Sequence, residues 1–448
     1  MTEKKPKVCP EDFHQYHEPV DFRDTWRIFK IMAEFVEGYH LLANLKSEVT
    51  FFGSARTKPN SKTYKKAVEL GKILGRTKHT IITGGGPGIM EAGNKGAFEV
   101  GAESIGLNIQ LPFEQILNKY VTQSLGFKYF FTRKVMLTSP SQAFFFFPGG
   151  YGTLDEFFEV VDLIELKRMP NIPVVALFSD YWQELVDFLN DYSYKKIGAL
   201  TKQNIDIIKV TDSAKEAADM IRGVKERAFF GETSPGAMTQ DGGIDWKIFR
   251  IMAELVEGFE FVNKIKNPVT ILGTKSIKPD SGYYAAAQEL GQALGKEKFT
   301  VVTGGGPGVM EAANKGAFSV GADSIGINMR FDHQIRTNPY VRESMSFFFP
   351  FTRKLILTAP SRAFICFPGG FGTMHQIFEV LVLMQTKKMG KIPVILYGKD
   401  FWTPIDKYIK KILFEKFNAI EKCDTEFYKI VDSPEEAMRI IKKIPKQK

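Results

Sequence analysis

One internal repeat constrains this chain more than any other feature of its sequence. GGGPGIMEAGNKGAF begins at Gly84, and GGGPGVMEAANKGAF begins 220 residues later at Gly304. The same displacement sets Trp26 on Trp246, Gly53 on Gly273, Arg133 on Arg353, Trp182 on Trp402 and Asp212 on Asp432, without a gap. Solenoid units run roughly 20 to 50 residues, so what is duplicated here is a whole domain. Each half is expected to fold around its own core: a first domain over 1–225, a linker over 226–245 (ERAFFGETSPGAMTQDGGID, rich in Gly, Pro, Ser and Thr), and a second domain over 246–448 that opens on the helix-like DWKIFRIMAELVEGF.

Within the first half, short apolar runs alternate with helical patterns: VTFFG then TYKKAVELGKILG, TIITGGG then GIMEAGNKGAF, SIGLNI, AFFFFPGG then TLDEFFEVVDLIEL, IPVVALF then DYWQELVDFLNDY. Runs without polar alternation are what strands buried on both faces look like. Strand, glycine turn and helix in repeated order imply an α/β fold, here two tandem doubly wound parallel sheets flanked by helices. In such sheets ligands bind beyond the carboxyl ends of the strands, where both glycine-rich loops fall.

The composition, 44% hydrophobic and 25% charged, is that of a globular chain. It contains no apolar run of the roughly 18 residues that a membrane span needs, and its N-terminus lacks a signal-peptide core, so a cytoplasmic location and no membrane partner are expected. Cys9, Cys366 and Cys423 form no CxxC pair and have no ligand-spaced histidines, which argues against a disulfide framework or a metal site. The net charge of +9 is spread out apart from the short tails MTEKKPK and KKIPKQK. With no basic stripe or aromatic platform, nucleic-acid binding is not expected.

In TIITGGGPGIMEA, Gly84, Gly85, Gly86 and Gly88 let the backbone turn sharply before a helix whose free N–H groups point outward, a seat for an anion or sugar phosphate. The bland reading of the same cluster is a tight strand-to-helix turn with nothing bound. It is not a P-loop, because no Lys-Ser or Lys-Thr follows. In FPGGYGT, Gly149, Gly150 and Gly152 with the Thr153 hydroxyl offer a second seat of the same kind. A nucleoside monophosphate or similar phosphorylated sugar could span the two. Thr153-Leu-Asp-Glu156 also has the form of a capping box, a role that the Gln376 of Thr373-Met-His-Gln376 would fill equally well. Helix capping would tolerate that exchange, whereas the chemistry of a carboxylate would not.

PGGYGTLDE, GGGPGIMEA, the GSAR of Gly53 to Arg56 and the TRKVML of Thr132 to Leu137 resemble the LONELY GUY family, also filed as lysine decarboxylase-like, over nearly all of both halves. The resemblance implies a Rossmann-like domain that hydrolyses the N-glycosidic bond of nucleoside 5′-monophosphates, cytokinin nucleotides or AMP-like ones, to free base and ribose 5-phosphate without a cofactor. By position it makes Arg133 and Glu156 the catalytic pair. Ser54, Arg56, Gly84, Gly85, Gly86, Met90, Glu91, Lys134, Gly149, Gly150, Gly152 and Thr153 become the substrate-binding set. The decarboxylase label would require pyridoxal phosphate on a Schiff-base lysine, and neither Lys134 nor Lys95 is marked as one. A non-catalytic carrier or sensor of a nucleotide or of the molybdenum cofactor is the alternative within the same superfamily.

The second copy keeps Arg353, Gly369, Gly370, Gly372 and Thr373 but has Gln376 for Glu156, His375 for Asp155, and Gly273-Thr-Lys-Ser276 for Gly53-Ser-Ala-Arg56. It is expected to be a degenerate site. Family members form dimers with sites near the subunit interface, so the two halves are expected to pair within the chain, with further homo-oligomers open. The first half departs from the family at Glu165, where the second has Gln385.

Overall fold

The computed structural model describes residues 25–110, 117–224, 244–330 and 337–445. The N-terminal tail, Cys9 and most of the expected linker lie outside them. The first half runs α1 (Thr25–Leu42), β1 (Glu48–Phe52), α2 (Lys62–Arg76), β2 (Thr80–Thr83), α3 (Ile89–Phe98), β3 (Ser104–Ile109), β4 (Gln123–Phe127), α4 (Phe130–Thr138), β5 (Ala143–Phe146), α5 (Tyr151–Glu165), β6 (Val174–Leu177), α6 (Ser179–Phe188), α7 (Lys202–Asp206), β7 (Ile208–Thr211) and α8 (Ala214–Asp219). The second half runs α9 (Ile244–Val262), β8 (Pro268–Leu272), α10 (Gly282–Lys296), β9 (Thr300–Thr303), α11 (Val309–Ser319), β10 (Ser324–Met329), β11 (Glu343–Phe347), α12 (Pro350–Thr358), β12 (Phe364–Cys366), α13 (Phe371–Gln385), β13 (Val394–Tyr397), α14 (Lys399–Tyr408), β14 (Tyr428–Val431) and α15 (Pro434–Ile441). α9 begins two residues inside the expected linker.

Each half forms a seven-stranded, all-parallel sheet, in the order β4-β3-β2-β1-β5-β6-β7 and β11-β10-β9-β8-β12-β13-β14. The chain reverses direction across the sheet between β1 and β5, which places the GSAR loop, the triple-glycine loop and the PGGYGT loop at one carboxyl edge. β1, β2 and β5 are buried throughout, as their apolar runs predict. The edge strands β4 and β7 (QSLGF and IKVT) carry polar, exposed positions and so lack the continuous apolar signal. No described helix is long and apolar enough to cross a membrane, and among the described residues no three or more His, Cys, Asp or Glu side chains are placed to hold a metal ion.

The expectation of two separate cores needs correction. One hydrophobic cluster runs through both halves, and a smaller one belongs to the second half alone. The junction is made chiefly by α5 against α13. There Phe158 stacks on its repeat counterpart Phe378 with ring centroids 5.5 Å apart, and Phe131 stacks on Phe351 at 6.3 Å. α5 is buried nearly all round because it lies between its own sheet and α13. Two apolar domains joined in one chain hide this surface from water by packing on each other.

Candidate active site

The three loops are stitched together by their backbones. Ser54 N donates to Pro148 O at 3.1 Å, and Ile89 N donates to Ser54 O at 3.1 Å. Gly88, with φ +70, is the N-cap of α3, and a Cβ there would lie 2.3 Å from Ser54 O. We therefore expect Gly88→Ala to lower stability by about 2 kcal/mol or more, read by thermal denaturation, because strain and overlap act together. Beneath the turn, Thr83 Oγ1 accepts from Gly85 N at 2.9 Å, and Asn118 Nδ2 donates to the Gly85 and Gly86 carbonyls at 3.0 and 3.1 Å. The start of α3 has no side-chain cap; Ser54 O holds Ile89 N, which leaves the next amides of the first turn for an anion.

Arg133, on α4, lies over this loop. Its Nε donates to Leu107 O at 2.8 Å, and a Cβ on Gly84 would stand 2.3 Å from its Nη2, so the close approach requires glycine. Burial pulls the guanidinium pKa below its ordinary value, against the opposing charges of Glu156 and Asp155. Met90 folds back on Gly84 and Gly86. Glu91, in the first turn of α3, accepts from Tyr64 OH at 2.8 Å.

Glu156 is 5% exposed, and its Oε2 has no hydrogen-bond partner. Burial pushes its pKa up to about 8; Lys134 and Arg133 pull it down, while Glu159 and Asp155 add to the rise. No ion pair within 4 Å joins Glu156 to Arg133 among the described residues. A buried carboxylate with an oxygen to spare is costly unless something else uses it. The capping-box reading is overturned. α5 starts at Tyr151 with Gly150 as its cap and no side-chain cap bond, so Thr153 is already inside the first turn and Glu156 sits in the second. The Gly-Tyr-Gly segment enters the helix earlier than the T-x-x-E pattern suggests. Thr153 Oγ1 instead packs under Gly149, where a Cβ would meet it at 2.0 Å.

The second half closes over this loop. A Cβ at Gly150 would lie 2.7 Å from Ala419 O, Gly152 faces Val382, and Tyr151 OH donates to Asp424 O at 2.9 Å. Ser54 Oγ accepts from Arg56 N at 3.1 Å, while the Arg56 side chain reaches Glu421 of the second half at 2.9 Å. The relation is reciprocal: Gly370 lies under Ala199 and Leu200 of the first half, and Gly372 faces Asp162.

Lys134 turns its ammonium to the acids of α5. It is 2% exposed, with its ammonium 2.7 Å from Asp155 Oδ2 and 3.6 Å from Glu159 Oε2. Burial alone would lower its pKa, but these acids outweigh it and hold the pKa well above the ordinary lysine value. The second copy repeats much of the frame. Arg353 Nε donates to Ile327 O at 2.8 Å, Gly369 packs on Thr373, and Gln376 is 8% exposed at the position of Glu156.

Sequence reasoning passed over a buried polar cluster between α5 and α13. His375 Nε2 lies 3.4 Å from Asp155 Oδ1 and its Nδ1 lies 3.9 Å from Asp162 Oδ2. Lys354 contacts both Asp162, at 2.7 Å, and His375. A signal was present: Asp155, Glu159 and Asp162 form an i, i+4, i+7 stripe of acids along a helix that is buried on nearly every side.

The family model described as possible lysine decarboxylase matches the chain twice, over residues 90–221 and 310–441. The chain is 30% identical over 199 residues to a pyrimidine/purine nucleotide 5′-monophosphate nucleosidase of Escherichia coli strain K12, covering 41% of each protein, so it spans about two fifths of that relative's length. It is 28% identical over 188 residues to the cytokinin riboside 5′-monophosphate phosphoribohydrolase LOG1 of Arabidopsis thaliana, covering 41% of this chain and 85% of that one. Among solved structures, a molybdenum cofactor binding protein from Rippkaea orientalis aligns with a TM-score of 0.32 at 23% identity, over 40% of this chain and 97% of that one.

Proposed function

The chain belongs to the family described as possible lysine decarboxylase, as a tandem duplication, and from that membership we propose that its first half hydrolyses the N-glycosidic bond of nucleoside 5′-monophosphates. AMP is the first substrate to try, and cytokinin nucleotides belong to the same chemical class. The single observation that carries this reading is Glu156, a buried carboxylate with an unpartnered oxygen, set on the loop edge that also holds Arg133. The phosphate would sit on the amides that open α3 and α5. As the bond from C1′ to the base breaks, positive charge develops on the ribose, and ionised Glu156 stabilises it while orienting the attacking water. Water supplies hydroxyl to C1′ and a proton to the departing base. Arg133, a planar cationic donor, holds the nucleotide. This step needs neither a metal nor an organic cofactor.

The decarboxylase label fits the residues poorly. A Schiff-base lysine must offer an unprotonated amine, and the acids around Lys134 hold its proton tightly. Lys95 pairs at the surface with Glu99 at 3.9 Å. The reciprocal closure of each PGG loop by the opposite half supports reading the chain as an intramolecular pseudo-dimer in which only the copy with the carboxylate turns over.

The test is the pH profile of base release from AMP, followed by chromatography. If ionised Glu156 is required, kcat/KM falls about tenfold per pH unit below about 8 and levels off above it. A rate that is flat between pH 5 and 8 contradicts this role for Glu156.

A further inference from the structure

The loop edge of the second copy keeps the seat of the first and changes what surrounds it. Thr303 Oγ1 accepts from Gly305 N at 2.9 Å, and Asn338 Nδ2 donates to the Gly305 and Gly306 carbonyls at 3.1 and 3.0 Å. Gly308, with φ +72, caps α11 without a side-chain bond. Thr274 O holds Val309 N at 3.2 Å, which leaves the next amides of that turn for an anion. Arg353 lies over the loop as Arg133 does over the first, with its Nη2 where a Cβ on Gly304 would meet it at 2.3 Å. The acids nearby are engaged elsewhere: Asp162, beside Gly372, pairs with Lys354 at 2.7 Å, and Glu311 accepts from Tyr284 OH at 3.0 Å.

Two polar side chains at this edge have no use in the fold. Gln376 is 8% exposed, and its amide makes no hydrogen bond among the described residues. Asn328, near the carboxyl end of β10, is 2% exposed; its Nδ2 donates to Thr337 Oγ1 at 2.8 Å, but its buried Oδ1 has no partner among the described residues. That oxygen rests on the triple-glycine loop, where a Cβ on Gly305 would lie 1.8 Å from it. In the first copy the matching place is filled by Leu117, whose Cδ1 would lie 3.0 Å from a Cβ on Gly85, while Asn108 Oδ1 stands by Gly126. A buried acceptor without a donor is costly. Leucine shows that packing here does not require it.

We infer that the second half binds a nucleoside 5′-monophosphate without cleaving it. The phosphate sits on the amides that open α11, beside Arg353, and a hydroxyl or amino group of the nucleoside donates to Asn328 Oδ1. Gln376 keeps the hydrogen-bonding reach of the acid it replaces but has no charge to set against a ribose cation, so the glycosidic bond survives. The inference rests on the nucleotide reading of the first half's site. It gives the duplicated domain a ligand of its own, with a polar contact at Asn328 where the first copy offers the apolar Leu117.

Equilibrium dialysis of the full chain carrying Glu156→Gln, with AMP, GMP, CMP and UMP each in turn, tests this. At least one of the four is expected to bind in a way that adding Arg353→Ala abolishes. Where the same nucleotide also fills the first site, two bind per chain, ³¹P NMR shows two bound signals, and Arg353→Ala removes one of them. Should Arg353→Ala not fold, Asn328→Ala keeps the arginine and must weaken the same binding event about tenfold or more. Binding of all four that ignores both substitutions overturns the inference and leaves the hydrolase reading standing, and no binding at all overturns it as well. Base release by the Glu156→Gln chain that Arg353→Ala abolishes also overturns it, since the second half would then be the one that cleaves. A nucleotide held through Arg353 in a wild-type chain that releases no base strikes the hydrolase reading and leaves this inference standing.

Discussion

Glu156→Gln is expected to make the protein more stable and nearly inactive. Glutamine has the shape of the protonated acid, so it keeps the helix and the packing while removing the charge that the reaction uses. The loss in kcat for base release should be about a hundredfold or more. The stability gain follows from linkage. The folded pKa, about 8, lies above the ordinary value of 4.5. Below pH 4.5 both folded and unfolded states carry the proton, and the residue costs nothing. Between 4.5 and 8 the unfolded chain ionises while the folded one resists, so wild-type stability declines through that window and then levels. Glutamine escapes this decline. Urea denaturation at pH 8 should show Glu156→Gln more stable than wild type by about 4 kcal/mol, with the two nearly equal at pH 4. Equal stability at both pH values would mean that the carboxylate is not under the burial cost described here.

The second large effect is expected from Lys134→Met, which should destabilise the protein by about 3 to 5 kcal/mol, because Asp155 and Glu159 would be left buried without their cation. The pH window separates this from a simple packing defect. Lys134 has a folded pKa above its unfolded one, so its contribution is fully present below the ordinary lysine value and is lost only at high pH. Asp155 has a depressed pKa, so its share is present above the ordinary aspartate value and is lost as the pH falls through the lower folded one. The penalty of Lys134→Met, measured by chemical denaturation, should therefore be level from about pH 5 to 9 and shrink in stronger acid. A pH-independent penalty, or one below about 1 kcal/mol, would deny the ion pair its structural weight.

Much of this was legible in the residues. The repeat, the doubly wound sheets and the placement of the glycine loops follow from periodicities that local physics enforces, and Arg133 lies over the triple-glycine loop because glycine at 84 leaves room for it. Other features needed the third dimension. β4 and β7 lie at sheet edges, where half-exposed strands lose the apolar run that identifies their neighbours. The capping box failed because T-x-x-E reports a spacing and not where the helix begins, which Gly150 decides two residues before the first helical glycine. Lys134 follows Arg133 in the chain, but consecutive residues on a helix point about 100° apart, so Arg133 meets the triple-glycine loop and Lys134 the acids of α5. The pairing of Asp155 with His375 joins residues that lie a full repeat apart in sequence, and only the packing of α5 on α13 brings them into contact.

The central claim is that one copy of a duplicated fold cleaves a nucleotide at its glycosidic bond. The most direct measurement is product analysis after incubating the full wild-type chain with AMP. The account predicts free adenine and ribose 5-phosphate in equal amounts. Tight binding of AMP with no product, or release of adenosine and phosphate, would contradict it.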